Sequence, residues 1–334
     1  MLRTSPKKSG VALIGLGEFA YDQLVTVFQQ ARYARLAAVV TDEPDKAEAW
    51  QREFGFPDSG RYDYDTFDRV ADNPDVDLVY VVVPNALHRG YVERAARAGK
   101  HVLCEKPIAT TVRDAEAMIA ACRKADVQLA MSYRLRFEPH HQELVRLARE
   151  RRYGKIKLIE SGYGFGVRDD QTSRLDPALS GGGPLLDAGI YAVHAARWLA
   201  GEEPVSVTAQ AIKTNPEKFA EVEETLTWQL RFPSGILATS STSFAFEVQR
   251  LTVWAEYGHF ELTQPFGYGP FRGRTPEGPI RKRDVNSQLR LVDETARCLL
   301  RGEPVPVPGP EGLNDLRIID AIYEAARTKR EVRL

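Results

Sequence analysis

Gly15-Leu16-Gly17-Glu18-Phe19-Ala20 fits the pattern G-x-G-x-x-A. It stands between the apolar run Val11-Ala12-Leu13-Ile14 and a helical pattern over residues 19–30. The first glycine permits a tight turn, and the second leaves room for a pyrophosphate against the backbone. The small Ala20 lets helix pack closely on strand. Unpaired N–H groups at the helix start then face the anion. Alone the motif is weak. In a strand–turn–helix context at a first strand it points to a dinucleotide site built from Gly15, Leu16, Gly17, Glu18, Phe19 and Ala20.

The remainder of the first 132 residues keeps the same rhythm. Apolar, β-branched runs at 36–40, 76–83, 101–104 and 127–131 alternate with helical patterns at 45–54, 88–98 and 113–125. Continuous runs of this kind predict strands covered on both faces, hence a doubly wound parallel sheet of Rossmann type, an α/β domain over residues 1–132. Beyond residue 133 the pattern changes. Thr225-Leu226-Thr227-Trp228-Gln229-Leu230-Arg231-Phe232 alternates polar and apolar and meets Pro233-Ser234-Gly235, a half-buried strand entering a hairpin. Further strands are expected at 156–163, 236–246, 248–255 and 259–262, and helices at 139–152, 184–200, 288–300 and 313–328. Residues 133–334 therefore read as an α+β domain with a large, mostly antiparallel sheet open on one face. Pro304-Val305-Pro306-Val307-Pro308 is a short extended connector.

Composition narrows the partners. The 45 basic and 46 acidic side chains leave a net charge of −1, so no global positive field exists to bind nucleic acid. No apolar run reaches the ~18 residues of a membrane span. Cys104, Cys122 and Cys298 are too scattered for a CxxC metal site or a disulfide framework, which suggests a reducing compartment. The first ten residues are basic and lack the apolar core of a signal peptide. A cytoplasmic protein acting on a small molecule, with no metal, is the expectation.

Cofactor choice turns on the end of the second strand, Val39-Val40-Thr41-Asp42, and on Lys46. With Thr41 at the ribose-reading position, its hydroxyl and Lys46 receive a 2′-phosphate and select NADP. With Asp42 there, the carboxylate takes the ribose hydroxyls and selects NAD. Glu18 adds negative charge near the same place.

Four further segments carry a resemblance: Val83-Pro84-Asn85-Ala86-Leu87-His88; Gly99-Lys100-His101-Val102-Leu103-Cys104-Glu105-Lys106-Pro107; Gly181-Gly182-Gly183-Pro184-Leu185-Leu186-Asp187-Ala188-Gly189-Ile190-Tyr191; and Asp320-Ala321-Ile322-Tyr323-Glu324-Ala325-Ala326-Arg327. With the Gly15 motif they resemble the glucose-fructose oxidoreductase, inositol dehydrogenase and MocA family over nearly the whole chain. The likeness is strongest to the glucose-fructose oxidoreductase branch, which tips the cofactor preference narrowly to NADP. The resemblance implies cofactor contacts from Pro84, Asn85, Leu87, His88, Glu105, Lys106, Arg134 and Arg174, and a catalytic set of Lys106, Asp187 and Tyr191. Asp187 and Tyr191 are four apart on an expected helix and so share a face. A phenol is a poor base at neutral pH unless a cation favours its anion. Tyr191 is thus the expected acid/base, Lys106 its activator, and Asp187 an orienting acceptor.

Departures from the family pattern are part of the expectation. Glu18 stands where the glucose-fructose enzyme has a lysine, and Ser173 precedes Arg174 where relatives have tryptophan. His194, which could share the face of Asp187, is expected to be structural. His140-His141 are adjacent and point apart, unlike metal ligands. The cluster Arg272, Arg274, Arg281, Lys282 and Arg283 reads as a solvated loop or subunit contact, and Cys104 as a core residue. The aromatics of Ser161-Gly162-Tyr163-Gly164-Phe165-Gly166 fit either a sugar site or, equally, a twisted strand. The expected activity is NAD(P)-dependent hydride transfer at a sugar carbon, C1 of an aldopyranose going to the lactone, with reduction of a second sugar as an extension. A keto-sugar reductase, a cyclic polyol dehydrogenase and a non-enzymatic dinucleotide-binding regulator are the alternatives. A homo-oligomer, dimer or tetramer, is expected through the open sheet face.

Overall fold

The computed structural model describes residues 7–168 and 172–334; residues 1–6 of the basic N-terminal stretch lie outside the described residues. The chain divides into two compact units, one of Met1–Arg134 with Asn286–Leu313 and one of Leu135–Val285 with Asn314–Leu334.

In the first unit, β1 (Ser9–Ile14), β2 (Ala34–Val40), β3 (Arg61–Tyr62), β4 (Leu78–Val81), β5 (His101–Cys104) and β6 (Leu129–Met131) form one parallel sheet in the order β3-β2-β1-β4-β5-β6. All residues of β1 and β4 are buried, which is why these strands read as unbroken apolar runs. The strand order reverses between β1 and β4, the place where doubly wound sheets bind ligands. Helices α1 (Val25–Gln30), α2 (Pro44–Phe54), α3 (His88–Arg97) and α4 (Val112–Lys124) accompany the strands. Pro44 opens α2 and left-handed Gly55 ends it. The Thr111 hydroxyl caps α4 by accepting from the Asp114 N–H at 3.1 Å. The expected helix over 19–30 is present but widens to a π-helical turn, Ala20–Leu24, before α1.

The second unit holds a nine-stranded sheet. It comprises β7 (Ile156–Gly164), β8 (Ser206–Ile212), β9 (Thr225–Arg231), β10 (Leu237–Ser243), β11 (Val248–Ala255), β12 (Gly258–Thr263), β13 (Arg272–Thr275), β14 (Gly278–Ile280) and β15 (Val332–Arg333). The order is β14-β13-β12-β11-β7-β10-β9-β8-β15, antiparallel except for β7 beside β10. Alternation in β9 follows the expectation: Leu226, Trp228 and Leu230 are buried and Thr227, Gln229 and Arg231 exposed. The helices are α5 (Pro139–Arg149), the short α6 (Thr172–Leu175) and α7 (Pro177–Ser180), and α8 (Ile190–Ala200). Of the stretch around residues 272–283, expected as a solvated loop or subunit contact, residues 272–280 form the hairpin β13–β14 on the sheet edge, while Arg281, Lys282 and Arg283 lie exposed outside any strand. Arg274 pairs with Glu261 at 2.6 Å and Lys282 with Glu143 at 2.9 Å.

A boundary at 132/133 assigns everything after it to the second domain, but α9 (Ser287–Arg301) and the run behind it cluster with the first unit. Asp293 on α9 accepts from the N–H groups of Arg32 and Tyr33 at 2.9 and 2.8 Å, just ahead of β2. The connector at 304–308 is extended as expected and lies along β6, with Met131 N–H donating to Val307 at 2.8 Å. Helix α10 (Gly309–Thr328) follows. Among the described residues no helix is long and apolar enough to cross a membrane.

Candidate active site

The carboxyl ends of the first unit's strands gather most of the expected cofactor residues. Gly15–Ala20 follow β1, Thr41 and Asp42 follow β2, Pro84–His88 follow β4, Glu105 and Lys106 follow β5, and Arg134 follows β6. Gly15 has φ +92°, and a Cβ there would lie 2.3 Å from the Val82 carbonyl oxygen. Only glycine fits such a turn. Gly17 is the opposite case: it is exposed, and a Cβ would meet no atom within 4 Å. That open space, at the start of the helix and beside the first strand, fits a pyrophosphate. Leu16 and Ala20 are buried beneath it, while Glu18 faces solvent.

The ribose-reading residues are already engaged. The buried Thr41 hydroxyl accepts from the Glu43 N–H at 3.2 Å, and the exposed Asp42 carboxylate accepts from the Tyr64 N–H at 3.1 Å. Lys46 pairs with Glu43 at 2.5 Å.

On the turn after β4, Pro84 and Leu87 are exposed and Asn85 is half-buried. His88, expected among the cofactor contacts, is fully buried and offers a ligand no surface. Its Nε2 lies 3.0 Å from the Val83 carbonyl, and its Nδ1 lies 2.9 Å and 3.3 Å from those of Pro107 and Ile108. Burial pushes the imidazole pKa down. His88 ties the turn after β4 to the Glu105-Lys106-Pro107 turn. Arg134 is likewise buried, at the start of a 3₁₀ turn. Cys104 is a core residue, its thiol pKa pushed well up by burial.

Glu105 anchors the turn that carries Lys106. Its Oε1 accepts from the Tyr80 and Ser132 hydroxyls, each at 2.6 Å, and Oε2 accepts from the Lys106 N–H at 3.3 Å. Burial pushes the carboxyl pKa up, against the Ser132 and Tyr80 hydrogen bonds and the Lys106 charge. Gln288 of α9 donates to both hydroxyls, at 2.6 Å to Tyr80 and 3.2 Å to Ser132.

In the second unit, Asp187 sits on a π-helical turn, Leu185–Gly189, and Tyr191 in the first turn of α8. Arg174, expected at the cofactor, donates from Nε to Asp187 Oδ2 at 2.9 Å, and its guanidinium lies 5.6 Å from the Phe165 ring centroid. The segment between the two residues folds back through α7, so a pair 13 apart in sequence meets as an ion pair. Tyr191 stands edge-on to Tyr163 at 5.5 Å and tilted to Phe266 at 6.0 Å, with Tyr163 and Phe165 also in contact at 6.1 Å. Tyr163 of β7 and the buried Phe266 thus border Tyr191, while Phe165, just past β7, lies against Tyr163 and Arg174; half-buried rings beside an acid and a guanidinium suit a polyhydroxylated ligand.

Two residues that hold this turn, Glu223 and Tyr323, were not among the expected site residues. Glu223 accepts from the Gly183 and Leu185 N–H groups at 3.0 and 3.1 Å and from the Tyr323 hydroxyl at 2.8 Å. The Gly181-Gly182-Gly183 run lets that approach happen. A Cβ at Gly182 would lie 2.5 Å from the Tyr323 oxygen, and one at Gly183 2.8 Å from Glu223.

His194, His140 and His141 are turned to buried carboxylates. His194 Nδ1 lies 2.8 Å from Asp315 Oδ2, and the other Asp315 oxygen accepts from Arg197 at 2.6 Å. His140 and His141 both turn Nδ1 to Glu138, at 2.8 and 2.7 Å, at the start of α5. Burial raises the Glu138 pKa, but hydrogen bonds from both imidazoles and the charge of His141 bring it to about 2.

Comparison with known proteins identifies the family. Residues 9–133 match the family model of the NAD-binding Rossmann fold of the Gfo/Idh/MocA oxidoreductases, and residues 141–261 match the Gfo/Idh/MocA C-terminal domain. The chain belongs to the Gfo/Idh/MocA family. As a member it is an oxidoreductase that uses NAD(P). It is 42% identical to an aldose-aldose oxidoreductase from Caulobacter crescentus whose crystal structure holds glycerol, with a TM-score of 0.95 over 98% of this chain and 100% of that one. It is also similar to two D-xylose 1-dehydrogenases that use NADP(+). The one from Haloarcula marismortui is 29% identical over 97% of this chain and 92% of the relative, and the one from Haloferax volcanii 31% over 91% and 94%.

Proposed function

We propose that this family member is a sugar oxidoreductase that removes hydride from C1 of an aldopyranose, giving the lactone, and that it can return the hydride to a second aldose to give an alditol. The observation that carries the proposal is the near full-length likeness to the aldose-aldose oxidoreductase. The aromatic border of Tyr191 and the Arg174–Asp187 pair support it. NADP is preferred, through Thr41, Lys46 and the NADP(+) named for the xylose dehydrogenases.

The cofactor is held by the Gly15–Ala20 turn, Thr41 or Asp42, Lys46, Pro84, Asn85, Leu87 and Lys106, and when bound it supplies the hydride acceptor. In oxidation the C1–H bond breaks with both electrons leaving as hydride, while the O1 proton passes to the oxygen of Tyr191 acting as its phenolate, and the C1 carbonyl forms. The Lys106 ammonium stabilises the negative charge building on O1. Asp187, held by Arg174, orients the sugar hydroxyl. In the return step Tyr191 gives the proton back to the carbonyl oxygen of the second aldose. The open sheet face, where Trp254 and Ile212 are 41% and 54% exposed, is the surface proposed for contact between two copies.

The test is incubation of the purified protein with an aldose such as D-xylose and no added cofactor, with aldonate and alditol followed by NMR. Equal amounts of both are expected. Oxidation that proceeds only with added NADP and never yields alditol refutes the coupled reaction, and no oxidation of any aldose refutes the C1 assignment. Mass and absorbance of cofactor released on denaturation identify the dinucleotide.

A further inference from the structure

We propose that Gln288 is a positioning residue for Lys106: by donating to the Tyr80 and Ser132 hydroxyls it commits both hydroxyl protons to Glu105 and so fixes a carboxylate behind the lysine. The inference rests on the proposed role of Lys106 in the reaction.

Three observations meet here. First, the geometry is a directed chain. An amide nitrogen can only donate, so the 2.6 Å and 3.2 Å contacts from Gln288 occupy acceptor positions on the two hydroxyl oxygens. Each hydroxyl keeps its own proton to donate, and although the two oxygens lie 3.1 Å from each other, both stand closer, at 2.6 Å, to the same Oε1 of Glu105, the stronger acceptor. Second, Tyr80, Ser132 and Gln288 are all buried, so no bulk water stands in for a lost partner. Third, the chain joins four separate places in the first unit: β4, the end of β6, the turn after β5, and α9, which lies more than 150 residues from Ser132. Such convergence is not needed to pack a helix, since Leu291, Val292 and Ala296 already bury the apolar face of α9.

The groups that act on Glu105 fix the sign of the effect. Lys106 on its own turn lowers its pKa, and burial raises it. Tyr80 faces it from β4, and Cys104 lies next to it on β5, with a thiol kept neutral by burial and by the carboxylate. Ser132 and Gln288, from the end of β6 and from α9, carry no charge. Loss of the donors therefore removes what opposes burial and moves the Glu105 pKa further up. Protonated Glu105 no longer offers a charge to hold the Lys106 ammonium.

The experiment uses the full chain with NADP bound. Glu105 is titrated directly by infrared difference spectroscopy, its band identified by its loss in Glu105→Gln. The acid limb of single-turnover hydride transfer from an aldose is recorded in parallel. Gln288→Met, and the oxygen-only deletions Tyr80→Phe with Ser132→Ala as a guard against misfolding, should raise both the carboxyl titration and the acid limb by about one pH unit. Rates at high pH should change less than about threefold, because Lys106 itself is intact. A uniform fall in rate with neither titration moved means a packing role and overturns the proposal. A downward shift in Gln288→Met also overturns it, since it would mean that the amide oxygen faces the hydroxyls and withholds a proton from Glu105. Full activity in Lys106→Ala would instead refute the proposed catalytic role, whereas the infrared titrations of the Gln288, Tyr80 and Ser132 variants, all with Lys106 in place, test the positioning network by themselves, so the two failures are distinct.

Discussion

Gly17→Val separates cofactor binding from folding. A Cβ at Gly17 meets no atom within 4 Å, so the valine carbons enter open space. Exposed substitutions of this kind change stability by within about 0.5 kcal/mol, and the lost unfolded-state freedom of glycine offsets part of any cost. In a chain of this size the melting midpoint should therefore stay within about 2 °C of the parent. The same carbons occupy the volume that a pyrophosphate needs at the head of the helix. Affinity for NADP and NAD should fall at least ~100-fold, about 2.7 kcal/mol. Gly15→Val is the control of opposite character: its Cβ would lie 2.3 Å from the Val82 oxygen at φ +92°, and backbone strain with overpacking should cost roughly 3–5 kcal/mol. Isothermal titration with each dinucleotide, beside thermal melts followed by circular dichroism, reads both effects. Parental affinity in Gly17→Val would refute the placement of the pyrophosphate, and an unfolded Gly17→Val would refute the open space.

Other expectations follow from the same geometry. Lys106→Ala and Tyr191→Phe should each slow single-turnover hydride transfer by at least ~10²-fold, with sugar affinity changed less; unchanged rates would remove either from the chemistry. Arg174→Met should cost an intermediate amount, about 10-fold in kcat, because Asp187 stays but loses its 2.9 Å partner; an unchanged kcat would make the pair ornamental to catalysis. Lys46→Ala should weaken NADP by about 10-fold more than NAD in fluorescence titrations, and equal loss of both would favour Asp42 as the ribose reader. Glu138→Ala should destabilise the protein by roughly 1–2 kcal/mol at neutral pH through loss of the α5 cap. Because the native Glu138 pKa is about 2 against the usual 4.5, that stabilisation is present above about 4.5 and fades as pH falls towards 2. Melting curves of parent and variant should therefore converge in acid, and a gap that persists at pH 2 would contradict the assignment.

Residues whose roles depend on neighbours in sequence were legible. The Gly15 turn, the Glu105-Lys106-Pro107 turn and the alternation in β9 each carry their cause within a few residues: a backbone conformation, a strand end, a period of two. The helix Asp187–Tyr191 was legible in position but not in shape, since the π-helical widening at Leu185–Gly189 has no marker in the residues themselves. Strands β13 and β14 were missed because Arg-Gly-Arg-Thr and Gly-Pro-Ile have poor strand propensity. They pair because β12 presents an edge and Glu261 meets Arg274.

Local pattern thus settled the Rossmann half, the site-bearing turns and the antiparallel character of the second sheet, because hydrophobic periodicity and glycine geometry act over a few residues. Tertiary structure alone decided who stands behind those turns. It turned His88 inward onto three carbonyls, gave Arg174 to Asp187, set Glu223 and Tyr323 under the glycine run, and returned α9 to the first unit with Gln288 against Tyr80 and Ser132. A buried polar group must find a partner wherever the fold brings one, and nothing in its own stretch of chain records which partner that will be.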